Sequence, residues 1–289
     1  MRCEDREDPI CEIELELLEG PASSLFDVAL ALQADLPLRP EIASKAERGF
    51  RLFQQSPLQP MRAGRSPVLP GMRPQAAFVA VALDCIGQLQ RNEAGARAGE
   101  DPEFVHQARV AIRRLRSALR LWAPLLPPGF RAAFSPRWRD LAQLLGQARN
   151  LDVFVTETLP PMLAAFPETP APGRLAHLAE RRRQQWHREI RAAFEAPEFA
   201  ALVLSFTAAL CALPSDVSLV SLDDFLRRRL RRFAREVKTM ADACSGHPEA
   251  HHRLRIAFKR LRYALEFAAP LLPAGKVWRY GAATAEMQA

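Results

Sequence analysis

The chain writes one 22-residue segment twice. HQARVAIRRLRSALRLWAPLLP starts at His106 and HRLRIAFKRLRYALEFAAPLLP starts at His252, with 13 identities at an offset of 146 residues. An internal repeat of this length requires two structurally similar halves, each built around one copy.

The spacing within each copy is helical. With 100° per residue and His106 at zero, Arg109, Arg113, Arg116 and Arg120 fall at about 300°, 340°, 280° and 320°. The other side of the helix collects Ala108, Ala111, Ile112, Leu115, Ala118, Leu119 and Trp122. This pattern predicts a helix buried along one side, with a row of cations along the other. Arg114 lies off the stripe. The second copy presents His252, Arg255, Lys259 and Arg262, with Glu266 where the first has Arg120. Leu115 and Leu119, with Leu261 and Leu265, are the expected buried positions.

Two further segments follow the same logic. HLAERRRQQWHREIR aligns His177, Arg181, Arg188 and Arg191, and LRRRLRRFAREVK aligns Arg228, Arg231, Arg235 and Lys238. A charge run is ordinarily a solvated face. Like charges at i, i+3 and i+4 repel, however, and a solvated face usually intersperses acids to relieve this. The stripe from His106 to Arg120 contains none. Four such helices point to a polyanionic ligand. Each histidine at the head of a stripe fits phosphate binding and helix-end packing equally.

Charge is unevenly placed along the 289 residues: residues 1–60 carry a net −6 and residues 61–289 a net +13. Only Lys45, Lys238, Lys259 and Lys276 are lysines, an arginine bias that suits planar phosphate recognition and equally a GC-rich genome. Five scattered cysteines without a CxxC pair argue against a zinc site or disulfide framework and for a reducing compartment. No apolar run reaches 18 residues and no signal sequence opens the chain, so a cytoplasmic protein without membrane attachment is expected.

Three regions are expected. Residues 1–55 mix an alternating, β-like run, ICEIELELLEG, with a helical segment from Ser23 and PLRPEIASKAERGFRLF. Residues 56–74 are rich in Pro and Gly and read as a linker. Residues 75–289 show only helical patterns broken by Pro and Gly, so the fold class is mainly all-α with a short α+β piece at the amino terminus.

The doubled pattern His-x-x-Arg-Val/Ile-x-x-Arg/Lys-Arg-Leu-Arg, followed by LLGQARNLDVF at 144–154, resembles the CHAD family (conserved histidine α-helical domain) over residues 75–289. The resemblance implies two pseudo-symmetric helical bundles whose basic residues bind inorganic polyphosphate. The implied binding residues are His106, Arg109, Arg113, Arg116, Arg120, Arg181, Arg188, Arg228, Arg231, Arg235, His252, Arg255, Lys259 and Arg262. Under the 146-residue offset, the counterparts of Gly146, Asn150 and Asp152 fall beyond Ala289. The last helical hairpin is therefore expected to be missing.

The amino-terminal text resembles the closing portion of a CYTH domain, a triphosphate tunnel fold. On a strand, Glu12, Glu14 and Glu16 would share one face, where carboxylates repel unless a cation sits among them. The resemblance implies that they help hold Mg²⁺ or Mn²⁺, and that Lys45 and Arg48 face the phosphates. No ExExK strand occurs, so the opposing tunnel wall is expected to be absent.

A polyphosphate-binding protein that needs no cofactor, associated with polyphosphate granules, is the leading expectation. A metal-dependent inorganic triphosphatase is the alternative, and the chain leans away from it because the site is incomplete. Nucleic acid is disfavoured because the stripes hold almost no aromatics for base stacking. Oligomeric state is left open.

Overall fold

A computed structural model describes residues 1–3, 6–214, 220–244, 247–273 and 275. The segment 276–289, in which the last hairpin was expected to be lacking, lies outside the described residues.

The chain opens with β1 (Arg2–Cys3) and β2 (Arg6–Glu7), antiparallel in the register Arg2↔Glu7 and Cys3↔Arg6. Helices follow: α1 (Ser23–Asp35), α2 (Lys45–Gln54), α3 (Pro74–Ala98), α4 (Pro102–Leu121), α5 (Phe130–Val153), α6 (Leu159–Ala165), α7 (Pro170–Glu195), α8 (Pro197–Cys211), α9 (Leu222–Asp242) and α10 (Pro248–Ala268). The expected all-helical character of residues 75–289 holds among the described residues.

The repeat is kept to the residue. α4 and α10 begin at Pro102 and Pro248, and Ala123–Leu125 and Ala269–Leu271 form the same 3₁₀ turn after each. Proline suits a helix start because the missing N–H has no intrahelical partner there, and Glu103 and Glu249 complement the positive helix end. Serine starts two others: Ser44 Oγ accepts from the Glu47 N–H, and Ser221 Oγ from the Asp224 N–H, both at 3.1 Å.

The strand expected in ICEIELELLEG does not form. Residues 10–17 have no regular structure, and residues 11–20 are all exposed. Alternating sequence makes a strand only where a neighbouring strand completes the hydrogen-bond ladder, and the described residues offer this run none. The Pro/Gly-rich stretch is irregular, as expected of a linker, but it is anchored. Asn92 fixes the Met61 backbone at both ends, at 3.0 and 2.9 Å, and Val68 is fully buried.

The chain divides into two compact units that do not follow its linear order. The first holds residues 1–63, 86–112 and 136–212, and the second holds 64–85, 113–135 and 213–289. α3, α4 and α5 each contribute to both, and in α5 the division falls at Pro136, which removes a backbone hydrogen bond from the helix interior.

In the second unit the core centres on Trp122, whose ring lies 6.0 Å from Phe78, 6.2 Å from Phe225 and 6.0 Å from Phe267. Leu115 and Leu119, on the face predicted to be buried, are at most 1% exposed, as is Ile112 at the edge of the first unit. Leu261 is buried too, whereas Leu265 is only half-buried. In the first unit, Trp138 packs edge-on to Phe206, and α1 lies against α8. α3 approaches α4 at Gly95, where the Phe104 ring leaves no room for a β-carbon.

No single helix among the described residues is long and apolar enough to cross a membrane. α7 and α8 pass that test only together, across a 55° bend.

Candidate polyanion-binding face

Register puts the stripe where the helical wheel placed it. His106, Arg109, Arg113 and Arg116 are half-buried along α4, and Arg120 is exposed at its end. On α10, His252 and Arg255 are exposed, and Lys259 and Arg262 are half-buried. Arg181, Arg188 and Arg191 are exposed on α7 in the first unit, as are Arg228, Arg231, Arg235 and Lys238 on α9 in the second. The Arg228 and Arg235 Nε groups donate to carbonyls four residues back, which leaves the guanidinium ends outward.

Within the second unit, the two repeat helices bring cations onto one aromatic ring. The Arg113 guanidinium carbon lies 5.5 Å from the Tyr263 ring centroid, and that of Arg262 lies 4.5 Å away. Both Nε atoms are buried without a hydrogen-bond partner, and neither side chain pairs with a carboxylate among the described residues. Two arginines held together without an acid make this part of the unit locally cationic.

A second group lies nearby in the same unit. Burial of its stem, and then the charges of Arg260, Arg116 and Arg131, hold Arg120 below its ordinary pKa, while Glu236 opposes the shift. Arg260 pairs with Glu236 at 2.7 Å. Arg229 donates to the Leu121 and Arg120 carbonyls, each at 2.8 Å, and so caps the carboxyl end of α4. The wheel missed Tyr263, Arg229 and Arg260 because their roles depend on neighbours from other helices.

Arg114 departs from the rest. Its side chain is 1% exposed and bridges Glu266 at 2.7 Å and Asp84 at 3.0 Å. It does point off the stripe, but inward, where it holds structure.

In the first unit, LLGQARNLDVF ends α5 at a buried aspartate. Asp152 Oδ1 meets His187 Nε2 at 2.8 Å and Arg183 at 3.5 Å, tying α5 to α7 just before a π-helical turn at Phe154–Thr158.

The amino-terminal residues assemble differently from the expected metal face. Lys45 Nζ reaches Glu12 at 2.8 Å and Glu14 at 2.9 Å, and Arg48 pairs with Asp8 at 2.8 Å. Glu12 and Glu14 do converge, but on the Lys45 ammonium and not on an open metal position. Among the described residues, no group of three or more His, Cys, Asp or Glu could hold a metal ion. The residues present therefore do not fit Mg²⁺ or Mn²⁺. Lys45, expected to face phosphate, instead neutralises two carboxylates. Glu12, Glu14, Lys45 and Arg48 line a cavity of about 940 Å³ together with Leu25, Leu32, Leu38 and Glu93.

These features define a helical protein built on a duplicated helix, with cations gathered at the repeat. The chain belongs to the CHAD domain family, whose model matches residues 80–289. The crystal structure of the CHAD domain from the plant Ricinus communis is similar to it at 31% sequence identity. The TM-score is 0.70, and the match covers 80% of this chain and 77% of that one.

Proposed function

We propose that this protein binds inorganic polyphosphate through the cations of its repeat helices and performs no chemistry on it. The observation that carries the reading is the pair Arg113 and Arg262, gathered over Tyr263 without an acidic partner. A linear chain of phosphoryl groups suits such a face because it offers many charges without requiring base contacts. The binding requires no cofactor. Cytoplasmic residence, with association to polyphosphate granules, follows from the same reading. The CYTH resemblance of residues 1–55 rests on their sequence.

The test is binding of long-chain polyphosphate by the full chain. Replacing Arg113 and Arg262 with Gln should weaken binding at least about tenfold, because each charge-assisted hydrogen bond contributes about 1.5–3 kcal/mol. The salt dependence should become shallower as fewer counterions are released. Arg139→Gln is the control, since Arg139 lies in the first unit and already contacts Asp140 at 3.2 Å. Equal losses in both variants would mean that net charge, and not this face, is sensed. Phosphate release from tripolyphosphate with Mg²⁺ or Mn²⁺, abolished by Glu14→Gln, would favour the triphosphatase alternative.

A further inference from the structure

Two guanidiniums from different helices share the Tyr263 ring, and their central carbons are therefore at most 10 Å apart. Tyr263 is 2% exposed, so its ring is held rigidly by the core. Both Nε atoms are buried without a hydrogen-bond partner, and the ring face offsets part of the repulsion between the two cations. An arginine held over a rigid ring loses rotamer freedom before a ligand arrives.

We propose that Tyr263 is a positioning residue for phosphoryl recognition. It is a shared platform that orients Arg113 and Arg262 and sets affinity without contributing charge. The proposal rests on the polyphosphate reading above and adds a residue that the charge pattern could not nominate. It distinguishes two kinds of cation. Lys259 supplies charge to the face, whereas Arg113 and Arg262 supply charge held over a ring.

The experiment measures polyphosphate binding and its salt dependence for the full chain and four variants. Tyr263→Leu should bind about fivefold more weakly, a loss in the range expected for cation–aromatic contacts at two arginines. Its salt slope should be unchanged, because no charge is removed. Tyr263→Phe retains the ring and should stay within about twofold of the wild type, since the ring face supplies the attraction. Arg113→Lys and Arg262→Lys keep the charge but lose the planar guanidinium over the ring. Each should lose affinity about threefold at constant slope.

The lysine variants decide the matter if Tyr263→Leu does not fold, as judged by circular dichroism. Wild-type affinity in Tyr263→Leu or in both lysine variants overturns the platform. So does a loss in Tyr263→Phe equal to that in Tyr263→Leu, which would assign the effect to the hydroxyl. If the wild type itself binds no polyphosphate, the functional reading fails and the platform fails with it. Failure of the platform alone leaves wild-type binding intact.

Discussion

Arg114 Nε donates to Glu266 at 2.7 Å, and these residues are the offset counterparts of Arg260 and Arg120, whose like charges repel. α4 and α10 therefore exchange equivalent positions across their contact, as the two sides of a two-fold interface do. Glu266 breaks the symmetry of charge. At one end of the exchange an arginine meets a carboxylate, and at the other an arginine meets an arginine. One end holds the helices together, and the other contributes to the cationic face.

The first expected outcome follows from that asymmetry. Arg114→Gln should cost about 2–3 kcal/mol of stability, read from the urea midpoint. That is below the range for a fully buried pair, because Asp84 and Glu266 are each 31% exposed and water can solvate them. Glu266→Gln should cost less, since Asp84 still neutralises the guanidinium. An Arg114→Gln variant as stable as the wild type would remove the structural role given to this ion triad.

The buried face of the repeat gives a second. Leu115 is fully buried, so Leu115→Ala should destabilise by about 2–5 kcal/mol in chemical denaturation. Leu265 is only half-buried, and its truncation should cost about half as much or less. Equal losses would contradict the difference in packing between the two copies.

Much of this was legible in the sequence because helical register needs only local information. The 3.6-residue period placed Leu115 inward and Arg113 on the opposite stripe. Arg114 shows where local information ends. It sits beside the apolar arc, but its partners are 30 residues before it and 152 after it. Nothing in the spacing of the first copy reveals that Glu266 will meet it. Tyr263 was hidden for the same reason, because a ring becomes a platform only when an arginine from another helix arrives. The amino-terminal strand failed differently. Alternation in ICEIELELLEG describes a two-faced chain, and a lysine 33 residues beyond Glu12 gathered its carboxylates instead of a neighbouring strand.

Glu93 supplies a pH dependence. Burial raises its pKa to about 7; Arg39, 3.6 Å away, and Arg97 oppose the shift, and Glu41 adds to it. The folded state thus holds the proton more tightly than the unfolded chain does. The stabilisation is fully present below about pH 4.5 and is lost as pH rises through 7, amounting to roughly 3 kcal/mol. Glu93→Gln should flatten this part of the stability–pH curve and be more stable than the wild type at pH 8. A curve of unchanged slope would show that Glu93 is not the group responsible.

Thiol chemistry gives the last. Burial pushes the Cys85 thiol up to about 12, against the opposing charge of Arg114, and the side chain is enclosed. Cys11 and Cys211 are exposed. Iodoacetamide followed by peptide mapping should label Cys11 and Cys211 in the native protein, and Cys85 only after denaturation. Native labelling of Cys85 would mean that the core around α3 opens readily.

The interleaving of the two units also orders events during synthesis. Trp122 leaves the ribosome roughly 145 residues before its partner Phe267, a wait of about 7–30 s at ordinary elongation rates. Through that interval the indole and the apolar face of its own helix at Leu115 and Leu119 have no finished core to enter. A nascent chain with so long an apolar delay is a natural client for a holding chaperone. Its yield should therefore respond more to translation speed and chaperone supply than its final stability suggests.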